Sequence, residues 1–125
     1  MQSNLDGAIQ DFTEAIRLQP DYAEASNNRG IARRKKGDLD GAIQDYTEAI
    51  RLKPDYAVAF NNRGAARRDK DDLDGAFQDF TEAIRLKPDY AEAFRRRGVV
   101  HQINGGLEAA LRTIKKRSVL IQITA

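Results

Sequence analysis

The chain has 125 residues, 32% of them charged and 41% hydrophobic, with a formal net charge of +2 at pH 7. This is the composition of one folded domain with a modest core, neither disordered nor fibrous, and the charge is too small to demand a nucleic acid partner. With no cysteine in the sequence there is no disulfide framework, no thiolate nucleophile and no cysteine-based zinc site. No apolar run approaches the ~20 residues of a membrane span. The opening MQSNLDGAIQ has an acid and amides where a secretory signal would have its apolar run. A cytoplasmic location is therefore expected, with no membrane contact.

From the N-terminus, LDGAIQDFTEAIRLQPDYAEA (5–25) recurs as LDGAIQDYTEAIRLKPDYAVA (39–59) and as LDGAFQDFTEAIRLKPDYAEA (73–93), each copy displaced by 34 residues. Every unit holds two helical patterns, the first from about Ala23 to Lys36 and the second from about Leu39 to Lys53, separated by a KGD turn at 36–38. Pro20, Pro54 and Pro88 follow the second helices, where a residue without an amide proton stops a helix. Asp21, Asp55 and Asp89 come next, where a carboxylate is expected to cap the following helix. The segment 1–22 aligns with a second helix alone, so a half repeat comes first, then units at 23–56, 57–90 and 91–125. The face of Leu5–Gln19 is left uncovered, which implies a shortened chain or pairing with another one.

Gly30, Gly64 and Gly98 recur inside the first helices, and Ala8, Ala42 and Ala76 inside the second. A glycine there costs ~1 kcal/mol against alanine, so three in register imply close helix contact. The aromatic series Phe12, Tyr46, Phe80 and the series Ala15, Ala49, Ala83 supply the complementary surface. In period, glycine, alanine, aromatic and proline, residues 1–112 resemble the tetratricopeptide repeat family. The resemblance implies an all-α, right-handed superhelical solenoid of antiparallel helix hairpins, about three and a half repeats long. Two places depart from the family. Ser26, Phe60 and Phe94 stand where a tryptophan is common, and Arg29, Arg63 and Arg97 where a leucine is. Those arginines are read as structural, with stems buried and heads turned to an acid such as Asp11, Asp45 or Asp79.

The third unit changes character after Arg112. GGLEAALR (105–112) still follows the pattern, but TIKKRSVLIQITA does not. Synonymous codons for residues 113–124, read one base earlier behind an added G, encode DYKEAIRLNPDY, which agrees with DYTEAIRLKPDY (45–56) at ten of twelve places. A single-base deletion near the Arg112 codon accounts for this; a diverged capping helix is the alternative. Ile114 can fill the aromatic place, but Arg117 replaces the small alanine. SVLIQIT (118–124) is uncharged and β-branched, and is expected to fray or form a sticky strand.

In such repeats the first helices line the concave side. The segments 23–36, 57–70 and 91–104 carry twelve basic residues against Glu24, Asp69 and Glu92, while the second helices lean acidic. That polarity would steer an acidic ligand to the inner side. The resemblance implies groove-facing places that map here to Asn27, Asn28, Arg34, Lys35, Asn61, Asn62, Arg68, Arg95, Arg96 and Gln102. An amide such as Asn28 or Asn62 can pair with a peptide's N–H and C=O, and Arg95 and Arg96 can hold a carboxylate. One variant of the family clamps the carboxylate of chaperone tails. Asn62 and Arg96 fit it, but Asn27, Ile31 and Glu92 stand where it needs a lysine, an asparagine and a second lysine.

Enzymatic chemistry finds little support. KDDLDGAFQDF (70–80) lacks carboxylates at both ends of a calcium loop, and the sole histidine, His101, falls at a packing place of a first helix. No cofactor, metal or catalytic residue is expected. The inner face lacks the stacking aromatics that single-stranded RNA requires. A peptide-binding interaction module is the expected function, and self-assembly through the terminal helix faces and the apolar tail is the alternative. The frame-shift reading is checked by sequencing the source gene. Codons for 113–124 that can be read in the shifted frame are expected, and codons that cannot would exclude it.

Overall fold

The structure is a computed structural model that describes residues 4–124, with side chains as far as Ser118. Six helices make up the described residues: α1 (Leu5–Leu18), α2 (Ala23–Lys35), α3 (Leu39–Leu52), α4 (Ala57–Asp69), α5 (Leu73–Leu86) and α6 (Ala91–Thr124). Helix α2 packs on α3 and α4 on α5 as hairpins, and α1, α3 and α5 each also pack on the helix that follows. The first helices of successive units, α2, α4 and α6, touch one another directly, whereas α1, α3 and α5 do not. The stack therefore curves, with α2, α4 and α6 on its inner side. No helix among the described residues is long and apolar enough to cross a membrane.

Each hairpin turns where the chain can satisfy the end of one helix and the start of the next. Gly37 adopts φ +89 and Asp71 φ 64, the left-handed region in which a helix terminates. Asp38 N–H then reaches back to the Arg33 carbonyl, and Asp72 N–H to that of Arg67, both at 2.9 Å, closing the last turn. Asp38 and Asp72 next serve as caps, accepting from Gly41 N–H and Gly75 N–H at 3.0 Å. Capping by Asp21 and Asp55 is not what the structure shows. Helices α2 and α4 start at Tyr22 and Tyr56 with no side-chain cap, because the tyrosine and not the aspartate is the residue flanking the helix. The carboxylates that cap lie instead in the turn within each hairpin.

Inside the hairpins two contacts repeat. The ring of Tyr46 lies against Gly30 and that of Phe80 against Gly64; a Cβ added to these glycines would come within 2.6 and 2.7 Å of ring carbons. Tyr46 and Phe80 are fully buried, with Ala42, Ala66, Ala76 and Val100 around them. Beside each ring sits a buried carboxylate. Arg29 grips Asp45 through Nε and Nη2 at 3.0 and 2.8 Å, and Arg33 Nη1 adds a third bond at 2.9 Å. Arg63 and Arg67 hold Asp79 in the same way, at 3.0, 2.8 and 3.0 Å. The arginines at the leucine place are thus structural in two units, paired with Asp45 and Asp79 and not with Asp11, which is exposed on α1.

The third unit makes no hairpin among the described residues. Where a turn and second helix were expected from 105 onward, α6 runs unbroken from Ala91 to Thr124. The ties that fold back the first two units are missing from its sequence. Gly106 stands at the place of the caps Asp38 and Asp72, and Thr113 at the place of the acids Asp45 and Asp79. Arg97 accordingly lacks the carboxylate that Arg29 and Arg63 have, and donates to Thr81 Oγ1 at 3.3 Å. Nothing among the described residues lies within 4 Å of a Cβ at Gly98. The strand expected at 118–124 is helical backbone as far as Thr124; the side chains that would make it sticky lie outside those described.

Two measurements test this account. Removing a buried partner of two arginines leaves uncompensated charge, so Asp79→Ala should lower unfolding stability by about 3–5 kcal/mol. Asp11→Ala, at the same repeat place but solvent-exposed, should change it by less than about 0.5 kcal/mol; urea melts of both variants decide. Burial pushes the Tyr46 phenol up to about 12 from 10.0, the Arg34 and Arg96 charges acting against it. The unfolded chain loses that proton first, so Tyr46 contributes a fall in stability as pH climbs from about 10 towards 12. Tyr46→Phe, which places at this position the residue found at 80, should flatten that fall in a pH series of melts.

Candidate functional site

The inner side of the stack gathers polar side chains from three helices that are 34 residues apart in sequence. On α4, Asn61 is buried, and its Nδ2 donates to Tyr90 Oη at 3.3 Å and to Glu92 Oε1 at 3.4 Å. The same Glu92 oxygen forms an ion pair with Arg96 Nη2 at 2.7 Å. One carboxylate oxygen is therefore shared by an amide of α4 and a guanidinium of α6. Two polar atoms of this cluster remain buried without a partner among the described residues, Asn61 Oδ1 and Arg96 Nη1. One is an acceptor and the other a charged donor.

The electrostatics around Arg96 are strained. Burial holds its guanidinium below the ordinary arginine range, and the Arg34, Arg95 and Arg68 charges press in the same direction against the opposing Glu92. Arginines from α2, α4 and α6 thus act on one point. Arg34 is partly neutralised by Asp69, its Nε donating to Oδ2 at 2.8 Å. Burial likewise raises the phenols of Tyr56 and Tyr90, with Glu24 and Glu92 respectively adding to the shift and Asn27 and Asn61 opposing it.

The residues expected from sequence divide into three kinds by position. Asn27 and Asn61 are buried and tie neighbouring helices together, Asn27 Oδ1 also accepting from Asn62 Nδ2 at 3.1 Å. Arg34, Asn62, Arg68 and Arg96 are half-buried, and Arg95 and Gln102 exposed. Asn28 and Lys35 are at the edge of a depression between α1 and α2, lined also by Leu5, Ala8, Phe12 and Ile31. Asn28 is at the place of Asn62, but no first helix precedes α2 among the described residues to offer it an amide. His101 is exposed and meets the edge of Phe77 at 5.1 Å between ring centroids. It is less covered than a packing place implies, because α6 has no hairpin partner.

Sequence reasoning passed over Tyr56, Tyr90 and the joint role of Glu92. The tyrosines carried a usable signal: each closes a Pro-Asp-Tyr turn at the same interval, directly before a first helix. Glu92 carried none, because its neighbours Asn61 and Arg96 are brought to it only by stacking.

Comparison with known proteins agrees with this geometry. A family model described as TPR repeat matches residues 2–33, 30–68 and 64–105. The first TPR of Spaghetti (RPAP3), solved bound to the HSP90 peptide SRMEEVD, is 27% identical with a TM-score of 0.80, the match covering 83% of this chain and 82% of that one. The second TPR domain of human RPAP3, in complex with the HSP70 peptide SGPTIEEVD, is 31% identical with a TM-score of 0.75, over 78% and 81% of the two chains. The Arabidopsis OM64 TPR domain is 27% identical with a TM-score of 0.78, over 79% and 82%. No curated protein sequence is a significant match. With the repeat model spanning most of its length and its hairpins stacked as those neighbours stack theirs, the chain belongs to the tetratricopeptide repeat family.

Proposed function

We propose that this chain is a non-catalytic interaction module that holds an extended peptide along the inner side of α2, α4 and α6, with an acidic or C-terminal carboxylate at Arg96. The observation that carries the reading is the pair of buried, unpartnered atoms at its centre, Asn61 Oδ1 and Arg96 Nη1. An unsatisfied buried polar atom costs about 1–3 kcal/mol, more when charged, so a ligand that supplies both partners recovers that cost. A peptide does so with ordinary groups: a main-chain N–H for the amide oxygen and a carboxylate for the guanidinium. The field of Arg34, Arg68 and Arg95 favours an anion at this point. Two structural neighbours are solved with peptides that end in EEVD, which supports the same ligand chemistry here.

The ten residues expected from sequence take graded parts in this reading. Asn62, Arg68, Arg95, Arg96 and Gln102 face the ligand, with Arg34 contributing charge. Asn27 acts from beneath, Asn61 meets the ligand only when Glu92 turns away, and Asn28 and Lys35 extend the surface towards α1. Three departures from the chaperone-tail clamp, at Asn27, Ile31 and Glu92, point to an acidic peptide without a requirement for that particular tail.

Fluorescence anisotropy with labelled SRMEEVD and its C-terminally amidated form tests the proposal. The free acid should bind more tightly than the amide, and its affinity should fall as salt rises. Arg96→Ala should weaken binding by roughly tenfold or more, the loss typical of one desolvated charged pair, and Arg95→Glu/Arg96→Glu should abolish it. Equal binding by wild type and the double variant would overturn the assignment of the groove.

A further inference from the structure

We infer that copies of this chain join head to tail, α1 of one copy seating on α6 of another as the missing second helix of its third hairpin. The stack then continues from chain to chain. This goes beyond peptide binding and rests on different residues. It narrows the self-assembly expected from sequence to one pair of faces, without the apolar tail.

The two ends lack opposite halves of the same unit. Among the described residues α1 is a second helix with no first helix before it, and α6 is a first helix with no second helix folded back on it. Within one chain the two do not pack on each other. In the closed hairpins the corresponding seats, on α2 and α4, are taken by α3 and α5. Helix α1 reads LDGAIQDFTEAIRL, which differs from α5 only in Ile9 for Phe77 and from α3 only in Phe12 for Tyr46. A second copy therefore carries, in nearly identical sequence, the helix that this seat accepts elsewhere in the chain. The buried residues of α3 are Ala42, Asp45, Tyr46 and Ala49, and those of α5 are Ala76, Asp79, Phe80 and Ala83. Ala8, Asp11, Phe12 and Ala15 hold the same places on one stripe of α1, and none of them is buried.

Helix α6 offers the complementary surface. Arg97, Gly98, His101 and Gly105 stand three, four, seven and eleven residues on from Phe94, so all five share one stripe. Gly98 has nothing among the described residues within 4 Å of an added Cβ, whereas the same space at Gly30 and Gly64 is filled by Tyr46 and Phe80. Arg97 reaches Thr81 Oγ1 and the ring faces of Phe77 and Phe94, but not the carboxylate that Arg29 and Arg63 hold. The α1 end supplies both missing partners, a half-buried ring in Phe12 and an exposed acid in Asp11. In the closed hairpins ring and glycine are 16 positions apart, as are acid and first arginine. Placed in that register, Phe12 of the next copy lies on Gly98, and Asp11 lies beside Arg97. His101, at the place of Arg33 and Arg67, can donate a ring N–H to the same carboxylate. Leu5 of the next copy then starts beside Gly105, where α6 presents no side chain, and the remainder of α6 runs on past the end of the seated helix. Because the joined surfaces differ, every contact leaves one of each open, and the assembly grows as a filament and does not stop at a pair.

Light scattering of the whole protein from micromolar to millimolar concentration should show the mass climb beyond twice the 14.0 kDa of the chain, and added salt should reduce it by screening Asp11 from Arg97. Gly98→Leu fills the seat at a position open in the single copy, so it should keep the helical content and hold the mass at one chain. Asp11→Arg and Arg97→Asp should each fail to grow alone, through like charges at the joint, and should grow when mixed, because every joint then pairs opposite charges. Arg96→Ala, which weakens peptide binding, should grow as the wild type does, so failure of the peptide reading and failure of this one are told apart. A single-chain mass at every concentration would overturn the proposal, as would a mass that levels off at two chains. Undiminished growth of Gly98→Leu, or a mixture that grows no better than its components, would overturn it equally.

Discussion

The spacing of the whole stack depends on an aromatic ring lying directly on a helix backbone. Tyr46 on Gly30 and Phe80 on Gly64 allow the two helices of a hairpin to approach until only the ring separates their backbones. At that separation the carboxylates Asp45 and Asp79 come within bonding range of two arginines each. A buried ion pair is a weak source of net stability but a strong source of register, because any slip strands a charge. Ring contact and ion pairs therefore act on different aspects of the hairpin. The ring sets how close the helices come, and the carboxylate sets which residues oppose each other.

The inner face follows from that geometry. First helices that pack ring-to-backbone against their own partners are also pulled close to one another, so α2, α4 and α6 touch directly. Side chains 35 positions apart then meet: Asn27 with Asn62, and Arg34 with Asp69. These bonds along the groove join successive units, so the same repetition that builds the fold also builds the surface.

Much of this was legible in the sequence because it rests on periodicity, which survives without coordinates. The 34-residue interval, the in-register glycines and rings and the helix-stopping prolines placed α1 to α5 and the inner helices. What was not legible depends on competition between local and tertiary forces. Asp21 and Asp55 have the composition of caps, yet the turn ends on Tyr22 and Tyr56, so position within the turn overrode residue preference. Arg29 could have chosen Asp11 or Asp45 on composition alone; stacking decides for the acid of its own hairpin. The third unit shows the limit most plainly. GGLEAALR keeps the apolar pattern of a turn and helix, but the fold-back also needs the polar ties that Gly106 and Thr113 no longer supply, and without them α6 continues. The burial of Asn27 and Asn61 was likewise hidden, since an asparagine on a polar helix face reads as solvated until a neighbouring unit covers it.

Glu92 links the organisation of the groove to the acidic ligand proposed for it. Its carboxylate already does for Asn61 and Arg96 what an acidic ligand would do, through a single shared oxygen. Yet it leaves Asn61 Oδ1 and Arg96 Nη1 unmet, so the internal acid is an incomplete substitute. Its side chain is 47% exposed whereas that of Arg96 is 17% exposed, so the carboxylate is the member of the pair that can turn out to solvent. In the proposed binding mode an incoming carboxylate would replace Glu92 and gain contacts that Glu92 cannot make. The cost falls on the field itself: with Glu92 turned away, Arg34, Arg68, Arg95 and Arg96 face one another with less opposition. A ligand with a single negative charge would compensate for little more than what it displaced, whereas one with several would leave the groove closer to neutral than it began. In the proposed binding mode, acidity along the peptide would therefore count as much as a carboxylate at its end.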